Sequence, residues 1–288
     1  MASMKDIKRR RSSIQSTQQI TKAMKLVSTV KFQKSRGRAE QVHPYFDHMY
    51  RTILSILGRA ENIKHPYMIA QESDRKAVVV ITANRGLAGG YNSNIVKLVT
   101  GGGFSKETTD IYAVGTKGKD ALVHRGYNIV HDASEIVEAP CYADAKELCD
   151  TVLKSFAAGE IGEIYLAYTH FKNTVVHEPE LMKLLPLSFS EEDIRDAKQP
   201  DKRLLMNFEP NPEEALNRII PNYVSSLFFG ALVEAQASEN AARMQAMDNA
   251  TNNAEEMIDD LSLKYNRARQ GSITQELTEI IAGAEAIS

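Results

Sequence analysis

Apolar residues recur every three or four positions near the start of the chain, the spacing that places side chains on one face of an α-helix. These positions are Met4, Ile7, Ile14, Ala23, Met24, Val27 and Val30. The segment has no glycine before Gly37 and no proline before Pro44, and the pattern continues in weaker form through Leu57. It predicts one long helix that ends near Gly58 or the His65-Pro66 pair.

The C-terminal part of the chain has the same spacing. Its periodic positions are Ile220, Val224, Leu227, Ala231, Ala235, Ser238, Ala242, Ala254, Met257, Leu261, Tyr265 and Ala268. A helix from residue 212 to the end would be ~110 Å long. Because a globular domain of this size cannot bury such a rod, the pattern favours a coiled coil in which the two terminal helices pair antiparallel.

The seam expected between these helices is rich in small and polar residues. They are Ser16, Thr17, Gln18 and Ser28 on the first helix and Ser238, Ala241, Ala242, Gln245, Ala246 and Ala250 on the second. Small side chains let helices approach closely, but each contact buries little apolar surface. The sequence therefore predicts that a sleeve of partner protein stabilises the rod.

Between the two rods, short apolar runs alternate with helical patterns. The predicted strands are residues 77–82, 110–114 and 164–168, and the predicted helices are residues 92–99, 117–125 and 144–158. Further strands are expected at residues 174–176, 182–187 and 204–208. Such alternation is typical of an α/β domain with a largely parallel sheet. The predicted domains are therefore an N-terminal helix (1–60), a central α/β domain (61–210) and a C-terminal helix (211–288).

The charge of the chain is unevenly distributed, although its net value is only -2. Residues 1–38 contain eleven lysines and arginines and a single acid, Asp6, so this segment is about ten charges positive. A helix with this much positive charge is expected to bind an acidic partner. One alternative is a nucleic-acid-binding coiled coil, but aromatic residues make up only 7% of the chain and no recognition module is evident.

Features expected of an enzyme or a membrane-spanning protein are not found in the sequence. The seven histidines are scattered, Cys141 and Cys149 have no zinc or redox spacing, and no nucleophile motif occurs. No apolar run approaches the ~20 residues that a membrane span needs. We therefore expect no active site, no metal and no cofactor.

The stretch VVITANRGLAGGYN, residues 79–92, has a glycine-rich turn between a strand and a helix. Its pattern, Gly86, Gly89 and Gly90, is not the G-x-G-x-x-G of dinucleotide sites. The acids near the expected distance, Glu107 and Asp110, follow three intervening glycines. The pattern favours a structural turn, and a dinucleotide-dependent enzyme is the second alternative.

Four motifs in collinear order carry a resemblance that covers the whole chain. They are QQITKAMKLVSTVKF (18–32), NRGLAGG (84–90), ASENAARMQAM (237–247) and SLKYNRARQGSITQELTEIIAGAEAI (262–287). Together they resemble the gamma subunit of the F-type ATP synthase. That family commonly has D-R-G-L-C-G-G in the glycine loop, where this chain has Asn84 and Ala88; the difference is peripheral to rotation. The cysteines do not match the inserted pair that gives chloroplast relatives thiol control.

The resemblance implies an α/β protein with a long antiparallel coiled coil, in which the terminal helices form a shaft and the central Rossmann-like domain forms a foot. The shaft would stand inside a hexamer of alpha and beta subunits. The foot would bind the epsilon subunit and the c ring, with delta contacted only indirectly. One copy per complex would couple proton-driven rotation to ATP synthesis or hydrolysis in the hexamer without being catalytic itself.

The resemblance also implies a location and a set of contact residues. The chain would lie on the cytoplasmic face of the bacterial cell membrane as a peripheral protein. The resemblance leaves open whether the coupling ion is a proton or sodium. Expected contacts with alpha and beta subunits are Lys8, Arg9, Lys22, Met24, Lys25, Arg243, Arg269, Gln270, Thr274 and Glu276. Expected foot contacts with the c ring and epsilon are Met206, Phe208 and Glu209.

Overall fold

Two long helices dominate the chain, as the periodicity predicts. In the computed structural model, which describes residues 4–59, 65–174, 176–189 and 211–285, helix α1 spans Met4–Arg59. The C-terminal helix, which we number α5 in chain order, spans Pro212–Glu285. Pro44 and Pro221 lie inside these helices. A proline removes one backbone hydrogen bond, and here neither ends its helix.

Residue contacts divide the chain into two units, neither of which coincides with the domains expected from the sequence. Residues Met1–Thr29 and Arg243–Ser288 form one, the terminal unit, and Val30–Ala242 form the other, the central unit. Each of the two long helices contributes to both units. The sequence-based boundaries at residues 60 and 210 follow secondary structure instead, and they stay a prediction.

In the terminal unit the two helices run antiparallel. Thr21 Oγ1 lies 2.8 Å from Thr251 Oγ1, and Lys25 Nζ lies 2.6 Å from Asp248 Oδ1. The guanidinium of Arg11 lies over the ring of Tyr265, 5.6 Å from its centroid. As the residue number increases along α1, the number of the paired residue on α5 decreases, so the predicted antiparallel pairing is confirmed.

Burial shows a heptad seam in this unit. On α1 the buried or half-buried positions at alternating three- and four-residue steps are 4, 7, 11, 14, 18, 21, 25 and 28. On α5 they are 247, 251, 254, 258, 261, 265, 268 and 272. This is the spacing of a coiled coil. The expectation for Ser16, Thr17 and Gln245 is wrong, because their side chains are exposed, off the seam.

The central unit contains a five-stranded sheet and three shorter helices. In chain order these are β1 Lys76–Ile81, α2 Tyr91–Gly101, β2 Thr109–Val114, α3 Thr116–Val123, β3 Asn128–Asp132, α4 Tyr142–Ala157, β4 Glu163–Phe171 and β5 His177–Leu185. The strand order is β3-β2-β1-β4-β5. The first four strands are parallel, and β5 is antiparallel to β4. The predicted Rossmann-like α/β domain is therefore confirmed.

The strands differ from the prediction at several points, and β5 begins five residues before the strand expected at 182–187 and ends at Leu185. Strand β3 was not expected; four of its five residues are exposed, so it lacks the apolar run that marks β1. The expected strand at 174–176 is wrong, because Thr174 and Val176 precede β5, which begins at His177. The strand expected at 204–208 lies outside the described residues.

Side chains of β1 alternate between two apolar cores. Ala77, Val79 and Ile81 face a core completed by α4, by the C-terminal end of α1 and by the N-terminal third of α5. Val78 and Val80 face a second core under α2. Because both faces are covered, β1 is a continuous hydrophobic run, as parallel strands usually are.

Within the same unit α1 and α5 approach each other closely. A Cβ added at Gly230 of α5 would lie 2.3 Å from Cζ of Phe46 in α1. This distance is shorter than real side chains show, so a larger residue at this position would force the ring of Phe46 to shift. Ser226 and Met49, whose Oγ and Sδ atoms are 3.9 Å apart, continue the same antiparallel pairing.

Candidate functional site

The glycine-rich loop after β1 uses its polar groups internally. The amide of Ala83 donates to Asn92 Oδ1 at 2.8 Å. Asn84 Nδ2 donates to the carbonyl of Ser134 at 2.8 Å, and Asn84 Oδ1 accepts from the amide of Thr116 at 3.0 Å. The tight turn also places Gly89 at φ 56°, where a glycine is favoured.

Helix α5 occupies the carboxyl edge of the sheet beside this loop. Ala83, Ala88 and Tyr91 form a small buried cluster, against which Ala242 packs. Tyr91 Oη donates to the carbonyl of Ala235 at 3.2 Å. In open α/β sheets a dinucleotide binds at this edge. Here a helix of the same chain fills the space, which opposes the dinucleotide-enzyme alternative.

Three of the six basic residues expected to contact partners are exposed on α1. Lys8, Arg9 and Lys22 all point to solvent. Arg9 Nη2 lies 3.7 Å from Asp6 Oδ1, with side chains 85% and 57% exposed, so this ion pair contributes little. These three side chains give a positive surface over about the first five turns of the helix.

Lys25 differs from its basic neighbours. It occupies a seam position beside half-buried Met24, and its ammonium group donates to Asp248. The sequence motif singled out Lys25 but gave no indication of Asp248, which is 223 residues away. Arg243, also half-buried, lies on α5 one turn before this pair.

The polar residues expected near the end of α5 lie on two faces. Arg269 and Glu276 are seven residues apart and so within about 20° of each other around the helix. Gln270 and Thr274, four residues apart, share another face about 120° away. All four side chains are exposed. Ser272 Oγ lies 3.5 Å from Glu276 Oε1, which is a long hydrogen bond.

The tip of α5 also exposes apolar residues that sequence reasoning overlooked. Ile273, Leu277, Ile280 and Ile281 are 49%, 54%, 67% and 60% exposed. Their spacing of i, i+4, i+7 and i+8 makes one stripe, which we call the tip stripe. Extending the heptad seam past residue 272 places the polar residues Gln275 and Glu279 at its positions. The apolar residues of this segment therefore fall outside the seam, and that mismatch identifies the tip stripe from the sequence.

The antiparallel pairing explains why the tip stripe is uncovered. Paired residues in the terminal unit have numbers that add to between 272 and 276, as Thr21 and Thr251 or Arg11 and Tyr265 do. Positions of α5 beyond about 272 would therefore need partners before Met4, where the described part of α1 begins. The tip is a single helix within the described residues.

Several other predictions concern absences or undescribed residues. Among the described residues no group of three or more potential ligands could hold a metal ion. No described helix is long and apolar enough to cross a membrane. The expected foot contacts Met206, Phe208 and Glu209 lie outside the described residues.

Comparisons with known proteins assign the fold to a family. A family model described as ATP synthase matches residues 3–287. The ATP synthase gamma chain of Lachnoclostridium phytofermentans is 64% identical over an alignment of 291 positions that covers 100% of both chains. The chain belongs to the ATP synthase gamma chains. A gamma chain of Alkaliphilus metalliredigens is 43% identical and covers 99% of this chain and 98% of its own.

Solved structures agree with this family. The central stalk and c-ring structure of Tetrahymena thermophila mitochondrial ATP synthase contains a chain 26% identical, with a TM-score of 0.60 and coverage of 80% of this gamma chain and 99% of its own. A chain of the Euglena gracilis enzyme is 19% identical with a TM-score of 0.68, covering 99% and 94%, and shows the shared fold. This gamma chain is the rotor shaft of ATP synthase, and the nucleic-acid alternative has no support.

Proposed function

We propose that the terminal unit is the part of the shaft enclosed by the alpha and beta subunits. The tip stripe is the observation that carries this proposal. Four large apolar side chains on one helix face are about half or more exposed, and burying the exposed part of each would contribute about 1–2 kcal/mol. An apolar collar around the tip is the partner that such a surface fits.

A second exposed apolar group on α1 supports the same enclosure. Ile20, Leu26 and Val27 are 60%, 62% and 58% exposed. They lie beside Lys22 in the motif ITKAMKLV, so apolar and basic groups alternate over this part of α1. A collar with both apolar and acidic groups would match this surface. The basic contacts would be Lys8, Arg9 and Lys22.

The two polar faces of the tip suit a shaft that turns. Arg269 with Glu276 and Gln270 with Thr274 point in directions about 120° apart. In a hexamer with three catalytic beta subunits, contacts on different faces would meet different subunits at one rotor angle. A subunit that does not react can shift a partner's conformation only through such differential contacts. We assign the chemistry to the beta subunits and coupling to this chain, with Met24, Lys25 and Arg243 contributing further up the shaft.

The central unit takes the role of the foot in this proposal. Its Rossmann-like sheet has no free ligand crevice where α5 fills the carboxyl edge, which is consistent with a structural role. The epsilon subunit and the c ring would bind this unit, with contacts that include Met206, Phe208 and Glu209. The chain would then be a peripheral protein at the cytoplasmic face of the membrane, with one copy per complex.

Reconstitution with purified alpha and beta subunits tests the enclosure. The variant Ile273→Ser, Leu277→Ser, Ile280→Ser removes most of the tip stripe. We expect it to bind the hexamer at least about tenfold more weakly, because even 1.4 kcal/mol of the lost burial is a tenfold change in affinity. The matched control, Gln275→Ala with Glu279→Ala on another face of the same turns, should bind normally.

A second measurement distinguishes loss of a contact with the hexamer from loss of folding of the free chain. Circular dichroism of the free chain should show equal helix content in the control and in the stripe variant, because the side chains of the stripe are about half or more exposed. Normal assembly of the stripe variant would contradict the proposed enclosure. Loss of helix in the variant would instead show that the stripe stabilises the free chain.

A further inference from the structure

Helix α5 is held at the carboxyl edge of the sheet by four directional contacts within five residues. These are His170 Nδ1 with Glu234 Oε2 at 2.8 Å, Tyr91 Oη to the carbonyl of Ala235 at 3.2 Å, Gln236 Nε2 to the carbonyl of Glu138 at 3.0 Å, and Ser238 Oγ to the carbonyl of Thr169 at 3.2 Å. We call them the edge contacts. Each joins α5 to a different residue of the α/β domain.

The edge contacts surround much of the helix. At about 100° per residue, Glu234, Ser238, Ala235 and Gln236 lie at about 0°, 40°, 100° and 200° around the axis of α5, and Ala235 makes its contact through the backbone carbonyl. The first two directions meet β4, the third meets the start of α2, and the fourth meets the turn after the short 3-10 helix Ser134–Val137. A rotation of α5 about its axis would therefore break contacts on several sides.

Apolar packing alone would resist such rotation poorly at this level. The larger buried residues Leu232 and Val233 precede the edge contacts, whereas from residue 234 to residue 241 the buried apolar residues are Ala235, Ala237 and Ala241. A methyl group offers little to interlock with neighbouring side chains, and hydrophobic burial is non-directional. Hydrogen bonds have preferred distances and angles, so they can fix the rotational position of a smooth helix.

We infer that the edge contacts transmit torque between the α/β domain and α5. The inference rests on the proposed function, in which this domain is the foot of the rotor. Ion-driven rotation enters through the foot and has to reach the shaft helix to drive ATP synthesis. ATP hydrolysis in the hexamer acts on the shaft first. Loss of the edge contacts should therefore impair ion-driven synthesis more than hydrolysis.

The test uses the whole complex, purified and reconstituted into lipid vesicles. The variant Tyr91→Phe, Gln236→Leu, Ser238→Ala removes three edge contacts with small changes in shape. The contact of His170 with Glu234 is kept, since removing the histidine would leave the partly buried carboxylate of Glu234 without this partner. Ion-driven ATP synthesis and ATP hydrolysis are measured on the same preparation, and their ratio is the readout.

The control variant loses the same number of hydrogen bonds elsewhere in the domain. Ser93→Ala, Thr100→Val and Thr151→Val remove hydroxyl groups that donate to carbonyls of their own helices, α2 and α4. We expect the control to keep the wild-type ratio of synthesis to hydrolysis. The triple edge variant should lower that ratio at least about fivefold, the change that corresponds to the loss of one hydrogen bond.

Each outcome decides between the proposals. If the wild-type chain does not purify with alpha and beta subunits, the proposed function itself fails. If the wild type assembles and the edge variant keeps the wild-type ratio, torque transmission through the edge contacts is refuted. If the triple variant does not assemble, Tyr91→Phe alone decides, because it removes a single hydroxyl; an unchanged ratio in that variant overturns the inference.

Discussion

The ion pair between Lys25 and Asp248 allows a quantitative test of the helix seam. Its atoms lie 2.6 Å apart, and the two side chains are 38% and 44% exposed. Because water screens both groups, we expect the pair to contribute about 0.2–1 kcal/mol to the stability of the terminal unit. Asp248→Asn and Lys25→Met remove one charge each with modest change in size.

A double-mutant cycle isolates this contribution from other effects of each substitution. The free chain and its three variants are unfolded in urea, and helix content is followed by circular dichroism. The coupling free energy should lie in the range given above at low salt. It should decrease at about 1 M salt, where the screening length falls to about 3 Å.

Reversing the pair distinguishes an internal role of Lys25 from a contact with a partner. The variant Lys25→Asp with Asp248→Lys restores opposite charges across the seam. If the pair serves the seam, stability and assembly should recover relative to either single change. If Lys25 instead meets acidic groups of a beta subunit, the reversed pair should assemble poorly. A coupling energy near zero at low salt, with no recovery on reversal, would refute the reasoning.

Three further predictions concern the tip, the close helix approach and the sheet. Gln270→Ala with Thr274→Ala should leave the complex assembled and lower its steady-state ATP turnover several-fold, since each lost hydrogen bond is worth about 1 kcal/mol; normal turnover would exclude their role. Gly230→Ala places a Cβ 2.3 Å from an aromatic carbon of α1 and should destabilise the free chain by about 1–3 kcal/mol in urea. Gly271→Ala, with nothing within 4 Å, should be neutral or stabilising by up to about 1 kcal/mol, and equal effects would contradict the steric argument. Hydrogen bonds from two lysines lower the pKa of Glu163 from 4.5 to about 2. The contribution of the ionised Glu163 to the free energy of unfolding should therefore be complete above pH 4.5 and be lost as the pH falls toward 2. The free energy of unfolding of Glu163→Gln should change less between pH 4.5 and pH 2 than that of the wild type. Identical dependence on pH in the two proteins would disprove the assignment.

Local pattern was sufficient for the long helices and the buried strands. The ends of the chain have helical periodicity over dozens of residues, and β1 has a continuous apolar run, so propensity and burial agree there. Strand β3 gave no such pattern, because an edge strand with exposed side chains depends on pairing with β2. The resemblance supplied the candidate contacts, which depend on partner subunits and stay predictions.

The pairings between distant residues were decided only by the tertiary structure. Periodicity showed that the terminal helices pair, but the register that joins Lys25 to Asp248 depends on how both helices fit together, and the sequence alone placed Ser16 and Thr17 on the seam in error. Likewise, glycines predicted a tight turn after β1, whereas the filling of the sheet edge by α5 is visible only in three dimensions. A helical pattern specifies a face, and the groups that this face meets follow from the packing of the whole chain.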